Sequence, residues 1–230
     1  VKKDSQALIS EWYIKSALFG QNDEPYEYKE TVNTVVTKDT TLRLEGQMGF
    51  PGSYIVYGLG EVVGIYDNAG EAIRKADEYV GVVFDLNQHI IWKRGFTKSN
   101  NQVDDRIKQK TTISNNSFKA CAAALVSYKF NNVNIDRNMN GYDLLNEYYG
   151  DSLINLSGAS LDQVLYFVSE NRPVIAKVNP NYYILIIGYN KSSITTYDPL
   201  TGNTKIINRD QVSRELEELG NVFVSYSEEF

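Results

Sequence analysis

The only cysteine, Cys121, sits in the run Phe118-Lys119-Ala120-Cys121-Ala122-Ala123-Ala124-Leu125, which reads as the opening of a helix from about Phe118 to Tyr128. A thiol at a helix start meets unpaired amide N–H groups and the positive end of the helix dipole, and both favour the reactive thiolate. The flanking alanines suit equally a small buried hydrophobe, and the segment alone does not separate the two. The single histidine, His89, falls at the mouth of an expected hairpin, ahead of the cysteine. We read it as a surface residue outside any catalytic set, although linear order does not forbid a catalytic geometry. One cysteine and one histidine exclude a disulfide framework and the usual Cys- or His-based zinc cages. A calcium site has a pattern to rest on. Asp136, Asn138, Asn140, Gly141 and Glu147 fit D-x-[DN]-x-[DN]-G-x₅-E, in which the Asp, the two Asn and the Glu would be oxygen ligands. An Asn-rich turn that starts a helix at Tyr142 accounts for the same residues and is the reading preferred here, so no cofactor is expected.

Further along, Tyr182-Tyr183-Ile184-Leu185-Ile186-Ile187-Gly188-Tyr189 is followed by Tyr197-Asp198-Pro199. With the Cys121 helix ahead of it, this resembles the papain-like cysteine peptidases of the C39-like group. In that family a histidine opens an apolar strand ending in Gly-Tyr, and an Asp-Pro closes the next strand. The resemblance runs from about Ser114 to the end. It implies Cys121 as nucleophile, Tyr182 in the place of the general base, and Asp198 as the group that would orient that base. Asn115 or Asn116 stands where a glutamine usually helps form the oxyanion hole, and an asparagine reaches about one methylene less far. The tyrosine is the larger departure. A phenol with a pKa of about 10 holds its proton at neutral pH, so it can neither accept the thiol proton nor return it as imidazole does. The expected function is thus a bacterial C39-like protein, impaired in catalysis, that binds a peptide or protein. The competing reading is a working thiol hydrolase, cleaving peptide or amide bonds with Cys121, whose base comes from His89 or elsewhere.

The elements expected to position these residues are mixed. Residues 5–18 read as an amphipathic helix, 53–66 as β structure interrupted by glycines, and 68–79 as a helix. Runs 81–85 and 89–93 form the hairpin, joined by Leu86-Asn87-Gln88. A polar stretch from Gly95 to Ser117 is read as a connector, which puts the domain boundary near 105: an N-terminal α/β unit over 1–105 and a papain-like domain over 106–230. After the cysteine helix come helices at 142–149 and after Ser160, where Ser-x-x-Gln is a capping-box signal. Strands at 173–178, 182–189, 193–198 and 204–207, a charged helix at 209–219 and a strand at 221–226 complete an α+β order. The chain has 230 residues, 42% of them hydrophobic, enough for one substantial core or one core with a smaller module. A net charge of −6 offers no basic field for nucleic acid. No apolar run approaches the ~20 residues of a membrane span, so a soluble protein is expected. Because the sequence opens on Val1 without a leader, removal of a signal peptide would place it at the cell surface or outside the cell.

Overall fold

The computed structural model describes residues 53–94, 99–108 and 115–227. The helix expected over 5–18 lies outside them. The chain divides into two compact units between Gly95 and Phe96, earlier than the boundary at 105 expected from the polar connector. Part of that connector belongs to the second unit: Asn101–Gln102 is a short strand of its sheet, and the buried side chains of Val103 and Ile107 follow.

Among the described residues, the first unit is an antiparallel sheet in the order β2-β1-β3-β4 with one helix packed on it. Strands β1 (Tyr54–Gly58) and β2 (Glu61–Tyr66) are joined by Leu59 and Gly60, both with positive φ, of 54° and 89°. Such a two-residue turn matches the twist of a hairpin. Helix α1 (Ala69–Glu78) is capped by Asn68, whose side chain accepts the Glu71 N–H, and it buries Ala72, Ile73 and Ala76. The expected hairpin is present as β3 (Val82–Phe84) and β4 (Ile90–Lys93). Its turn closes when the Asp85 N–H donates to His89 O, and Gln88 takes the left-handed position.

In the second unit β5 (Asn101–Gln102) precedes helix α2 (Ser117–Lys129), α3 (Gly141–Tyr149) and β6 (Leu153–Asn155). Helix α4 (Leu161–Ser169) then leads to β7 (Val174–Asn179), β8 (Tyr182–Tyr189), β9 (Ser193–Asp198) and β10 (Asn203–Asn208). Helix α5 (Arg209–Glu218) and β11 (Phe223–Tyr226) end the described residues. The sheet runs β10-β9-β8-β7-β11-β6, antiparallel throughout, with β5 added on β8. This is the α+β arrangement expected of a papain-like domain, helices first and antiparallel sheet second.

Two local devices set the site's frame. The capping box forms as the Ser160 pattern indicated: Ser160 and Gln163 exchange side-chain and backbone bonds, fixing the entry of α4. Helix α2 is apolar all round, with every residue from Ala120 to Val126 buried, so it is the central helix of the unit. It packs on β8 and α3. Gly188 of the Gly-Tyr pair is explained by a close approach, since a Cβ there would run into the Gln102 side chain and sit 3.1 Å from Asn101 O. Strand β5 therefore lies on β8 only because residue 188 has no side chain.

Candidate active site

Cys121 lies one turn inside α2, on the buried side of the helix, with 0% of its surface exposed. Burial pushes its thiol pKa well above the ordinary value, and the Asp198 carboxylate pushes in the same direction. The expected help from the helix start does not reverse this. The first-turn amide of Lys119 is taken by the side-chain oxygen of Asn116, at 2.9 Å.

That bond also accounts for Asn116, one of the two candidates for an oxyanion amide. Its side-chain oxygen is the N-cap of α2, and both Asn115 and Asn116 are exposed. Asparagine is among the best caps because its short side chain reaches back to the first free N–H groups. An asparagine just before an apolar helical run was the sequence signal for this role.

Tyr182 opens β8 and Asp198 closes β9, and the two side chains meet. Tyr182 Oη donates to Asp198 Oδ2 at 2.8 Å. Desolvation, this hydrogen bond and the neighbouring negative charge raise the phenol to about 12, and Cys121 adds to the same shift. Asp198 goes the other way. Burial alone would raise its pKa, but hydrogen bonds from Thr201, Tyr182 and Leu200 outweigh it, and the carboxyl is held below its usual value. Its Oδ1 accepts from Leu200 N at 2.9 Å and Thr201 N at 3.3 Å, while Oδ2 accepts from Thr201 Oγ1 at 2.8 Å. The three residues Cys121, Tyr182 and Asp198 thus share one electrostatic environment, in which a protonated thiol, a protonated phenol and an ionised carboxylate are the favoured states.

Two residues of this neighbourhood were not singled out in the sequence. Thr201 completes the ring of donors around Asp198, and its place three residues after an Asp-Pro is a turn signal that could have found it. Ser117 is the first residue of α2 and is 4% exposed. Its Oγ accepts from Tyr183 N at 3.0 Å and lies 3.4 Å from Asn181 O, to which it donates. Its signal was the spacing of four from Cys121, which places both on one helix face.

His89 belongs to the first unit, where its Nδ1 is 3.1 Å from Asp85 Oδ2 and its backbone N–H donates to Asp85 Oδ1 at 2.8 Å. The residue is part of the hairpin's own turn. The calcium pattern resolves into local bonds as well. Asp136 Oδ1 accepts from Asn138 N at 2.8 Å, closing an Asx turn, and Asn140 Oδ1 accepts from Asp143 N at 2.9 Å, capping α3. Gly141 is the first residue of the helix, and its φ is not positive. A Cβ there would sit 2.8 Å from the Phe118 ring and 3.0 Å from Lys119 Cα, so the glycine serves the contact between the starts of α3 and α2.

Among the described residues no helix is long and apolar enough to cross a membrane. No curated protein matches the chain. A crystal structure from Bacillus anthracis, described as a C39-like peptidase, is similar with 14% identity and a TM-score of 0.46, over 56% of this chain and 98% of that one. Residues 127–224 match the model of the Peptidase_C39 like family. The matched segment contains Tyr182 and Asp198 and begins just after Cys121. Over that segment the C-terminal unit is similar to the C39-like peptidase family.

Proposed function

We propose that the C-terminal unit is a C39-like domain that has lost hydrolysis and acts by binding a peptide or protein segment. The observation that carries this reading is the hydrogen bond from Tyr182 to Asp198. In a working Cys–His site the carboxylate orients an imidazole, which takes the thiol proton and gives it to the leaving group. Here the carboxylate's partner is a phenol held near pKa 12, which keeps its proton across the physiological range. The thiol beside it is buried and held in the neutral form. A nucleophile without a base, close to an ionised carboxylate, has no route to a thiolate at neutral pH. Nothing in this arrangement favours the thiol-hydrolase alternative, and His89 is engaged in its own hairpin.

The test is alkylation of Cys121 as a function of pH, read by mass spectrometry, alongside a peptide-hydrolysis assay. Wild-type protein should alkylate slowly at pH 6 and show no Cys121-dependent hydrolysis. Replacing Tyr182→His reinstates a group titrating near neutrality, with Asp198 placed to orient it, and alkylation at pH 6 should accelerate about tenfold or more. Hydrolysis need not return, since Asn116 remains committed to the helix cap. Cleavage of a peptide by wild-type protein that disappears in Cys121→Ser would sink the proposal.

A further inference from the structure

We infer that Ser117 is the positioning residue of this site, its hydroxyl pinning the opening of β8 to the first turn of α2 and so setting where the side chain at 182 stands relative to Cys121 and Asp198. The inference deepens the proposed function and rests on its assignment of these three residues to one site.

The opening of β8 is held by its own sheet from one side. On one side, the ladder with β9 begins only at Leu185, paired with Tyr197, so residues 182 to 184 have no partner in that register. On the other side, Ile184, Tyr183 and Tyr182 face Ala176, Lys177 and Asn179 of β7, and the register shifts between Lys177 and Asn179. A strand end with an interrupted ladder has its unpaired backbone groups to satisfy elsewhere. Ser117 supplies that partner from the helix. Its Oγ accepts the Tyr183 N–H at 3.0 Å and donates to the Asn181 carbonyl at 3.4 Å, so one buried hydroxyl grips the backbone on both sides of residue 182. The edge-to-face contact of Phe118 with Tyr183, at 5.0 Å between centroids, lies beside it.

The same helix face carries the thiol. Ser117 and Cys121 are four residues apart in α2, so their side chains stand one turn apart on a common face, about 6 Å between Cβ atoms. The hydroxyl therefore fixes strand and helix in one register, and the remaining freedom of residue 182 is taken up by the bond from Tyr182 to Asp198. Loss of the hydroxyl removes the helix-side anchor while leaving Tyr182, Asp198 and Cys121 chemically intact. The expected result is a loosened Tyr182–Asp198 contact.

The experiment follows the Cζ resonance of Tyr182 in wild-type, Ser117→Ala and Ser117→Thr proteins labelled with ¹³Cζ-tyrosine, the signal being assigned by its absence in Tyr182→Phe. At about pH 10.5 an ordinary phenol of pKa about 10 is mostly ionised, so a tyrosine released from the carboxylate declares itself there. Wild-type Tyr182 should remain protonated. Ser117→Ala should bring its ionisation at least one pH unit lower, a tenfold change in proton affinity, and Ser117→Thr, which restores a hydroxyl, should keep the wild-type titration. A purely structural serine would lower the melting temperature without moving this resonance. An unchanged Tyr182 titration in Ser117→Ala overturns the inference. So does a Ser117→Thr protein that titrates with a released phenol, and that comparison stands even if Ser117→Ala does not fold. The readout is independent of alkylation and hydrolysis, so the loss of peptidase activity and the role of Ser117 can each fail alone.

Discussion

Asp198 gathers hydrogen bonds on both of its oxygens, and three of the four come from its own turn, from Leu200 N, Thr201 N and Thr201 Oγ1. It is a turn-former that also receives the Tyr182 hydroxyl. Its folded-state pKa is depressed, so the unfolded chain binds the proton more readily than the native one. The stability it supplies is therefore complete above the unfolded value of about 3.9 and is lost as pH falls through the lower folded value. Thermal melts between about pH 5 and pH 3 should show a steeper fall for wild type than for Asp198→Asn. Parallel curves would mean the carboxylate is not held as described. At this scale the sequence was informative about residue types and poor about partners. The pairing of Tyr182 with Asp198 followed from a family pattern. The grip of Ser117 on β8 did not, and the asparagine signal before α2 left the role of Asn116 open, because a short polar side chain before a helix looks alike whether it caps, binds or faces water.

Helix α3 shows how an element can carry a motif for reasons unrelated to it. Asn140 and Gly141 satisfy the calcium-loop pattern, yet one is a helix cap and the other a close-packing position against Phe118 and Lys119. Helix propensity favours Gly141→Ala by at most about 1 kcal/mol, the value of a helix interior, because Gly141 is the first residue of the helix. The added methyl meets the backbone of α2, which cannot yield as a flexible side chain would, and overpacking of that kind costs about 1–3 kcal/mol. Gly141→Ala should therefore be net destabilising in urea unfolding, and a stabilised variant would contradict the packing described. If calcium were a ligand of this loop, millimolar calcium would raise the melting temperature; we expect no shift. Element legibility tracked length and periodicity. Strands β8 and β9 fall over the residues read from their apolar runs, 182–189 and 193–198. Strands β5 and β6 are two and three residues long; β5 is wholly polar, and the Leu153-Ile154 pair of β6 is too short to show a period. What defines them is the partner strand, which a local window does not contain.

For the whole molecule, composition excluded more than it assigned. With a net charge of −6 the chain should show no mobility shift with duplex DNA even at low salt, where non-specific electrostatic binding is strongest. Retention that weakens with added salt would instead reveal a basic face that the sequence does not display. Polarity marks exposed side chains while β5 joins its sheet through backbone hydrogen bonds, so a polar stretch does not by itself set where two units divide. Among the described residues, strand β10 is at the edge of the larger sheet and pairs with β9, and its Ile206 is 74% exposed. A sheet edge that carries an exposed apolar side chain is a template on which a second molecule can add its own strand, and repetition of that step builds fibres. Lys205, next to Ile206 and exposed, brings a charge that such stacking would have to desolvate. A Lys205→Val protein should fold as wild type does but scatter light increasingly with concentration, making one lysine the guard against self-assembly.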